Sequence, residues 1–313
     1  MENLNLVFMS SSSFGIPTLE KLLKSSHNIS AVYTQPSKKS GRGLNINSSP
    51  IYQIAESYKK IIRTPFNLSD EDELLFFDKI KPDLVIVVSY GIIIPNNMLS
   101  LPKYGFMNIH PSLLPNWRGA APIQRSLING DKKTGVNIIK LDDGLDTGDI
   151  CKSHEIMINS NDNFQTLSSK LSEIGSQMIM EAIDDILNKK IIYWRQSNEN
   201  ISYAKKIDKK EAKISFKEPA SNIINLIRGL SPNPGAWFLY NDLKKPFRVK
   251  ILEAKIMDKT GAPGELLDDE LLIACGDKSI KPLTLQREGK KPMSLGDFLR
   301  GSRIKKGIIL NSE

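Results

Sequence analysis

The chain has 313 residues, of which 40% are hydrophobic and 25% are charged, a composition typical of a folded globular protein with two domains. No apolar run approaches the ~20 residues that cross a bilayer, and the first residues lack the pattern of a signal peptide. Two cysteines, Cys151 and Cys275, exclude a disulfide framework and a cysteine-based metal site, so we expect a cytoplasmic protein.

The positive charge of the chain is concentrated toward its carboxyl end. The net charge is +8, and residues 208–313 contain 20 Lys and Arg against 14 Asp and Glu, a net of +6. The first 207 residues contain 23 against 21, a net of only +2. A basic segment beside a nearly neutral one favours a polyanionic partner such as RNA, although scattered lysines are also typical of an ordinary solvated surface.

The first half of the chain alternates strand-like and helix-like segments. Short β-branched or apolar runs predict strands at 4–9, 29–34, 84–89, 106–110 and 136–141. Between them, the apolar spacing predicts helices at 16–24, 51–59, 70–80 and 121–129. This alternation predicts an α/β fold with a doubly wound, mostly parallel, Rossmann-like sheet, although no glycine-rich phosphate-binding motif is present.

The second half begins with a long helix and becomes rich in strands. An apolar stripe predicts a helix at 164–188, and the polar stretch 194–200 reads as linker. After a helix at 220–228, short strands are predicted at 236–240, 247–254, 264–267, 271–275 and 283–286. Five short strands fit a small β-barrel of the oligonucleotide-binding (OB) type. The predicted organisation is therefore a domain at 1–189, a linker at 190–207 and an OB-like domain at 208–313.

The end of the predicted strand 106–110 carries the most informative pair of side chains. Asn108 and His110 share one face of the strand because they are two residues apart, and Pro111 follows directly. Ligands of such sheets bind at the carboxyl ends of strands. An amide and an imidazole placed there can donate to a developing oxyanion, or can merely satisfy backbone groups of the turn.

Four segments around this pair carry a recognisable pattern. They are NIHPSLLP at 108–115, NWRGAAPIQ at 116–124, TGV at 134–136 and DDGLDTGDI at 142–150. Together they resemble the formyltransferases that use 10-formyltetrahydrofolate. The segments 118–124 and 144–149 are most similar to the methionyl-tRNA formyltransferases of that family, and the resemblance extends more loosely to the carboxyl-terminal part.

The resemblance implies a catalytic trio of Asn108, His110 and Asp146. In such a reaction an amine attacks the formyl carbon, and donors such as Asn108 and His110 are each worth ~3 kcal/mol toward the developing oxyanion. Asp146 could pair with His110 or accept the proton of the amine, although a residue in so turn-rich a segment could also serve only the turn. The resemblance also implies a folate-binding segment, which consists of Ser112, Leu113, Leu114 and Pro115. The role of Arg118 stays open.

A basic loop at 35–50 is the predicted tRNA contact of the first domain, through Lys38, Lys39 and Arg42. The corresponding loop of the family continues with further lysines, whereas residues 44–47 here are Leu-Asn-Ile-Asn. Part of the basic character of the loop is therefore absent. A plain solvated loop is the alternative interpretation.

The resemblance implies a cytoplasmic enzyme that transfers the formyl group of 10-formyltetrahydrofolate to the amino group of initiator methionyl-tRNA for translation initiation. We expect a monomer with no metal and no membrane partner. Three alternatives stay open: a formyltransferase that acts on glycinamide ribonucleotide or an amino-sugar nucleotide, a hydrolase of formyl-folate, and an RNA-binding protein without activity.

Overall fold

The computed structural model describes residues 3–40, 45–241, 246–302 and 304–310. The chain divides into two compact units. The first consists of Met1–Pro122, Thr134–Ile156 and Ser168–Ala204, and the second of Ile123–Lys133, Met157–Leu167 and Lys205–Glu313. No helix in the described part of the chain is long and apolar enough to cross a membrane.

The elements up to residue 204 alternate between strand and helix, as predicted. The strands are β1 (Asn5–Ser10), β2 (Asn28–Tyr33), β3 (Lys38–Ser40), β4 (Asn45–Asn47), β5 (Ile62–Arg63), β6 (Leu84–Val88), β7 (Phe106–His110), β8 (Arg118–Gly119), β9 (Lys133–Lys140), β10 (Ile150–Met157) and β11 (Tyr203–Ala204). The helices are α1 (Ile16–Lys24), α2 (Pro50–Ser57), α3 (Glu71–Ile80), α4 (Asn96–Leu99), α5 (Pro122–Asn129) and α6 (Phe164–Leu187).

Seven strands form the main sheet of the first unit, in the order β10-β9-β7-β6-β1-β2-β5. The pairs β2–β5, β1–β2, β1–β6 and β6–β7 are parallel, whereas β7 and β9 are antiparallel. The chain adds β2 and β5 on one side of β1 and then returns to add β6 and β7 on the other side. The topological switch therefore lies between β1 and β6, and ligands of such sheets bind beyond the carboxyl ends of the strands at this point.

The core of this sheet holds β7 firmly in place. All five residues of β6 are buried, which explains why its sequence shows no alternation of apolar and polar side chains. The ring of Phe77 on α3 stacks on Phe106 at the start of β7, with 5.9 Å between the ring centroids. The ring of Tyr33 on β2 packs edge-on against the ring of Phe77, with 6.4 Å between the centroids. The first residue of β7 is thus packed against α3, and pairing with β6 and β9 holds the rest of the strand.

The carboxyl-terminal segment of the second unit, from Lys205 onward, contains a small antiparallel sheet and two α-helices among its described residues. Its elements are α7 (Ala220–Leu230), β12 (Ala236–Asn241), β13 (Pro246–Met257), β14 (Ile273–Ala274), β15 (Ser279–Arg287), β16 (Met293–Ser294) and α8 (Leu295–Arg300). The strand order is β12-β13-β15-β14, with β16 also paired to β15. The predicted fold class, a Rossmann-like sheet domain followed by a small β domain, is confirmed.

Several short elements of the structure were not predicted, and three differences bear on the longer elements and the domain bounds. Residues 264–267 form isolated bridges rather than a strand. Strand β10 was not predicted, because half of its side chains are exposed and it therefore lacks an apolar pattern. Residues 190–204, predicted as linker, belong to the first unit, where β11 pairs with β8.

Candidate active site

The predicted pair Asn108 and His110 lies at the carboxyl end of β7. Asn108 is paired with Val87 of β6 on one side and with Ile139 of β9 on the other. His110 is paired with Asn137 of β9, and only 3% of its surface is exposed. The two side chains therefore start from a rigid central strand, one strand away from the topological switch.

The carboxylate of Asp146 joins this pair from the loop after β9. Its Oδ1 accepts a hydrogen bond from Asn108 Nδ2 at 3.3 Å, and its Oδ2 lies 3.5 Å from His110 Nδ1. The backbone N–H of Gly119 also donates to Oδ2, at 2.9 Å. The structure thus brings the three predicted catalytic side chains together around one carboxylate. Gly119 is a partner that the sequence did not indicate.

The second ring nitrogen of His110 fixes the orientation of the imidazole. His110 Nε2 lies 3.0 Å from the carbonyl oxygen of Trp117. Since a carbonyl oxygen only accepts, this contact requires a proton on Nε2. Nδ1 is then the nitrogen that faces Asp146, and it carries a proton only when the imidazole is cationic.

The loop that carries Asp146 is held from behind by a side chain in the predicted linker. Gln196 Nε2 donates to the carbonyl oxygens of Asp146 at 2.7 Å and Gly148 at 2.9 Å. Gln196 Oε1 accepts from Nε and Nη2 of Arg118, at 3.1 and 2.7 Å. Arg118, whose role the sequence left open, is thus a hydrogen-bond partner of Gln196. No pattern in the sequence indicated Gln196, because its neighbours are polar residues without a periodic pattern.

The predicted folate-binding segment forms a turn beside this site. Ser112 is fully buried and donates from Oγ to the carbonyl oxygen of Asn116 at 2.6 Å. The backbone N–H of Leu114 donates to Oδ1 of the buried Asn137 at 2.7 Å. Leu113 and Pro115 are partly exposed. The hydroxyl of Ser112 therefore serves the turn, and the accessible apolar surface belongs to Leu113 and Pro115.

The segment TGV at 134–136 contains a glycine, Gly135, at a position where no side chain fits. A Cβ atom at this position would lie 2.2 Å from the carbonyl oxygen of His154 and 2.5 Å from Cδ2 of Leu113. Both distances are far below van der Waals contact. The absence of a side chain at Gly135 is what lets Leu113 pack against β9.

The loop after β6 reaches the same edge of the sheet. The carbonyl oxygen of Tyr90 accepts from Ser11 Oγ at 3.1 Å and from Gln35 Nε2 at 2.9 Å. Burial, with a smaller contribution from the nearby Glu73 carboxylate, raises the pKa of the Tyr90 phenol. Tyr90 is therefore neutral at physiological pH and acts as a packing residue of the core under this loop.

The predicted tRNA contacts lie partly outside the described residues. Lys38 and Lys39 belong to β3, which pairs antiparallel with β4 through Lys38–Asn47 and Lys39–Ile46. Arg42 lies outside the described residues. Within the described ranges, no group of three or more His, Cys, Asp or Glu side chains could hold a metal ion.

The chain matches two families of known domains. Residues 4–183 match the family described as formyl transferase, and residues 206–303 match the formyl transferase carboxyl-terminal domain. A sugar 3N-formyl transferase, WlaRD, whose crystal structure was determined in the presence of dTDP and 5-N-formyl-THF, has a similar fold. The similarity has a TM-score of 0.68 at 20% identity and covers 93% of this chain and all of that one. The fold and the matched families thus define a formyltransferase, an enzyme that transfers a formyl group.

Full-length relatives narrow this class further. A methionyl-tRNA formyltransferase of Pelagibacter ubique is 45% identical over 304 residues, which cover 96% of this chain and 97% of that protein. One from Rhizobium rhizogenes is 42% identical and covers 98% of both chains. This chain belongs to the methionyl-tRNA formyltransferase family.

Proposed function

We propose that this enzyme transfers the formyl group of 10-formyltetrahydrofolate to the amino group of initiator methionyl-tRNA, with Asn108, His110 and Asp146 around the reacting atoms. The observation that carries the proposal is that the side chains of Asn108 and His110 both contact the Asp146 carboxylate at the end of β7. Acid–base chemistry and oxyanion stabilisation both require polar groups held in such a fixed arrangement.

The reaction requires stabilisation of one negative oxygen and movement of one proton. The amine nitrogen attacks the formyl carbon, a new C–N bond forms, and the carbonyl oxygen becomes an oxyanion. When this intermediate collapses, the bond between the formyl carbon and N10 of the folate breaks, and a proton from the amine replaces it on N10. The products are a formamide and tetrahydrofolate, with no net change in protons.

Asn108 is suited to stabilise the oxyanion. Its amide has two N–H groups, one of which is donated to Asp146 at 3.3 Å. The second can be donated to the formyl oxygen as negative charge develops there. Because β7 and Asp146 hold the amide before the substrate binds, little reorganisation accompanies the reaction.

His110 and Asp146 are suited to carry the proton. With Nε2 bound to the Trp117 carbonyl, Nδ1 faces the Asp146 carboxylate at 3.5 Å. A proton that leaves the attacking amine, directly or through one water, can reside between these two groups before it reaches N10. While it is there, the cationic imidazole also favours the oxyanion.

The donor is proposed to bind along the turn at 112–115. Leu113 and Pro115 offer a partly exposed apolar surface beside the trio, as a flat pterin ring requires. Leu114 is held by Asn137 and packs with Ile139 and Ile150, so the turn has a rigid base. Ser112 supports the turn from within.

The tRNA is proposed to bind through positive charge on both predicted domains. Residues 208–313 carry a net charge of +6, and Arg248 of β13 stacks over the Trp237 ring of β12 at 4.3 Å. A cationic side chain next to an aromatic ring favours the binding of nucleic acid, because the cation attracts phosphates and the ring can stack on bases. Lys38, Lys39 and Arg42 stay proposed contacts of the first domain. A cytoplasmic monomer stays part of the proposal.

One competition experiment tests the acceptor. The enzyme is given labelled 10-formyltetrahydrofolate together with charged methionyl-tRNA, glycinamide ribonucleotide and an amino-sugar nucleotide. We expect label on the tRNA. Label on a small acceptor alone, or release of free formate without transfer, contradicts the proposal.

A histidine variant tests the site. We expect His110→Ala to lower the rate of formyl transfer by roughly a thousandfold, because it removes both a proton carrier and an oxyanion donor. His154→Ala is the matched control, since His154 lies on β10 with an exposed side chain. Near-normal turnover of a folded His110→Ala enzyme would contradict the assigned role.

A further inference from the structure

The side-chain amide of Gln196 links the loop of Asp146 to the guanidinium of Arg118. Its nitrogen donates to the carbonyl oxygens of Asp146 and Gly148, and its oxygen accepts two bonds from Arg118. Four bonds satisfy a side-chain amide almost completely. The side chain is thus held in one rotamer and one orientation.

Arg118 determines which way this amide points. A guanidinium has only donors, so the oxygen of Gln196 must face Arg118 and the nitrogen must face the loop. Arg118 is itself only 7% exposed, and it belongs to β8, which pairs with β11. The orientation of the amide therefore depends on a buried cation in a fixed strand.

Asp146, whose carbonyl oxygen accepts a hydrogen bond from Gln196, has an unusual backbone conformation. Asp146 has a φ of 54°, in the left-handed region that a residue with a side chain rarely adopts. Such a conformation is unfavourable for a residue with a side chain and persists where neighbouring groups hold it. Gln196 binds the carbonyl of Asp146 from one side, while Gly119 binds its carboxylate from the other.

We propose that Gln196, oriented by Arg118, is a positioning residue that keeps the Asp146 carboxylate aimed at His110 and Asn108. This inference rests on the proposed function of the trio. Gln196 acts on the reaction only through Asp146, since its polar atoms bind the loop and Arg118 rather than the site. Without it, the loop at 142–149 relaxes and the carboxylate moves away from the imidazole.

Gln196→Glu is the most informative variant. The new carboxylate keeps a partner in Arg118, but it places an oxygen against the carbonyls of Asp146 and Gly148 instead of a donor. We expect kcat to fall roughly 100-fold, because displacement of a reacting group by about 1 Å has an effect of this size. We expect the KM values for tRNA and folate to change by less than about threefold, since the binding surfaces are kept.

A matched control and a second background separate positioning from a general structural role. Gln177→Glu makes the same chemical change on the exposed face of α6 and should leave kcat unchanged. In an Asp146→Asn enzyme, Gln196→Glu should lower kcat no further, because the group that it positions is already impaired. A structural role would instead lower the rate additively in both backgrounds.

The outcomes distinguish the two hypotheses. If wild-type enzyme formylates methionyl-tRNA and the folded Gln196→Glu variant has the kcat of the Gln177→Glu control, the positioning role is wrong. Additive losses in the Asp146→Asn background also overturn it. If the wild type labels a small acceptor instead, the tRNA proposal fails and the same comparison is made with that acceptor. A wild type that labels no acceptor overturns both.

Discussion

Replacement of Asp146 by asparagine changes a single atom of the site. The carboxylate receives donors at both oxygens: Asn108 Nδ2 at Oδ1, and Gly119 N at Oδ2. An asparagine has only one acceptor oxygen, and its nitrogen is a donor. Whichever way the new amide turns, one donor faces another donor. Asp146→Asn therefore cannot keep the native hydrogen bonds, although its shape is unchanged.

The expected effect on the rate is much larger than the effect on stability. A donor left without its acceptor costs about 1–2 kcal/mol, and the side chain of Asp146 is only 13% exposed, so water replaces the lost acceptor only in part. The loss of a charge that fixes both the oxyanion donor and the proton carrier should lower kcat by roughly 100- to 1,000-fold. We therefore expect the Asp146→Asn variant to lose most of its activity and to stay folded.

Single-turnover formylation with labelled 10-formyltetrahydrofolate measures this loss directly, and thermal unfolding reports on stability. Asp78→Asn on α3 is the matched control, since it removes the same charge from an exposed position. A kcat for Asp146→Asn within about tenfold of the control would refute the reasoning, because an oxyanion or acid–base group is worth more than that.

Two further results are expected. Asn137→Ala removes the acceptor of the Leu114 backbone N–H, so the unfolding free energy should fall by about 1–3 kcal/mol. The KM for folate should rise, because the turn at 112–115 loses part of its support. An unchanged KM would exclude this turn from the donor site. Burial raises the pKa of Cys151 and of Cys275 to about 12. Both thiols should therefore resist iodoacetamide at pH 8 until the protein is unfolded, and mass spectrometry of the native protein would detect any adduct that contradicts this.

The position of the candidate site could be predicted because its signals are local in the sequence. The alternation of elements indicates a parallel sheet, a proline marks the end of β7, and residues two apart on a strand share a face. The shared face of Asn108 and His110 at the end of β7 follows from these rules, whereas their catalytic role was implied only by the resemblance. Asp146, 36 residues further along the chain than His110, required the resemblance, because nothing local shows that its loop returns to β7.

The supporting contacts could not be predicted, because each depends on pairs of residues that only the folded chain brings together. Gln196 lies 50 residues from Asp146 and 78 from Arg118. Its neighbours are polar, and a polar stretch before a new domain is typical of a linker. The same limitation applies to Gly135, whose missing side chain has meaning only once Leu113 and the carbonyl of His154 are seen beside it.

The arrangement around Asp146 also bears on what selects the acceptor. A carboxylate accepts several donors, so one residue can connect Asn108 of β7, Gly119 of β8 and the imidazole of His110. None of these atoms distinguishes one primary amine from another. Selection of the acceptor must therefore come from groups outside the trio, and we propose that the net charge of +6 on residues 208–313 contributes to it by attracting the polyanionic tRNA.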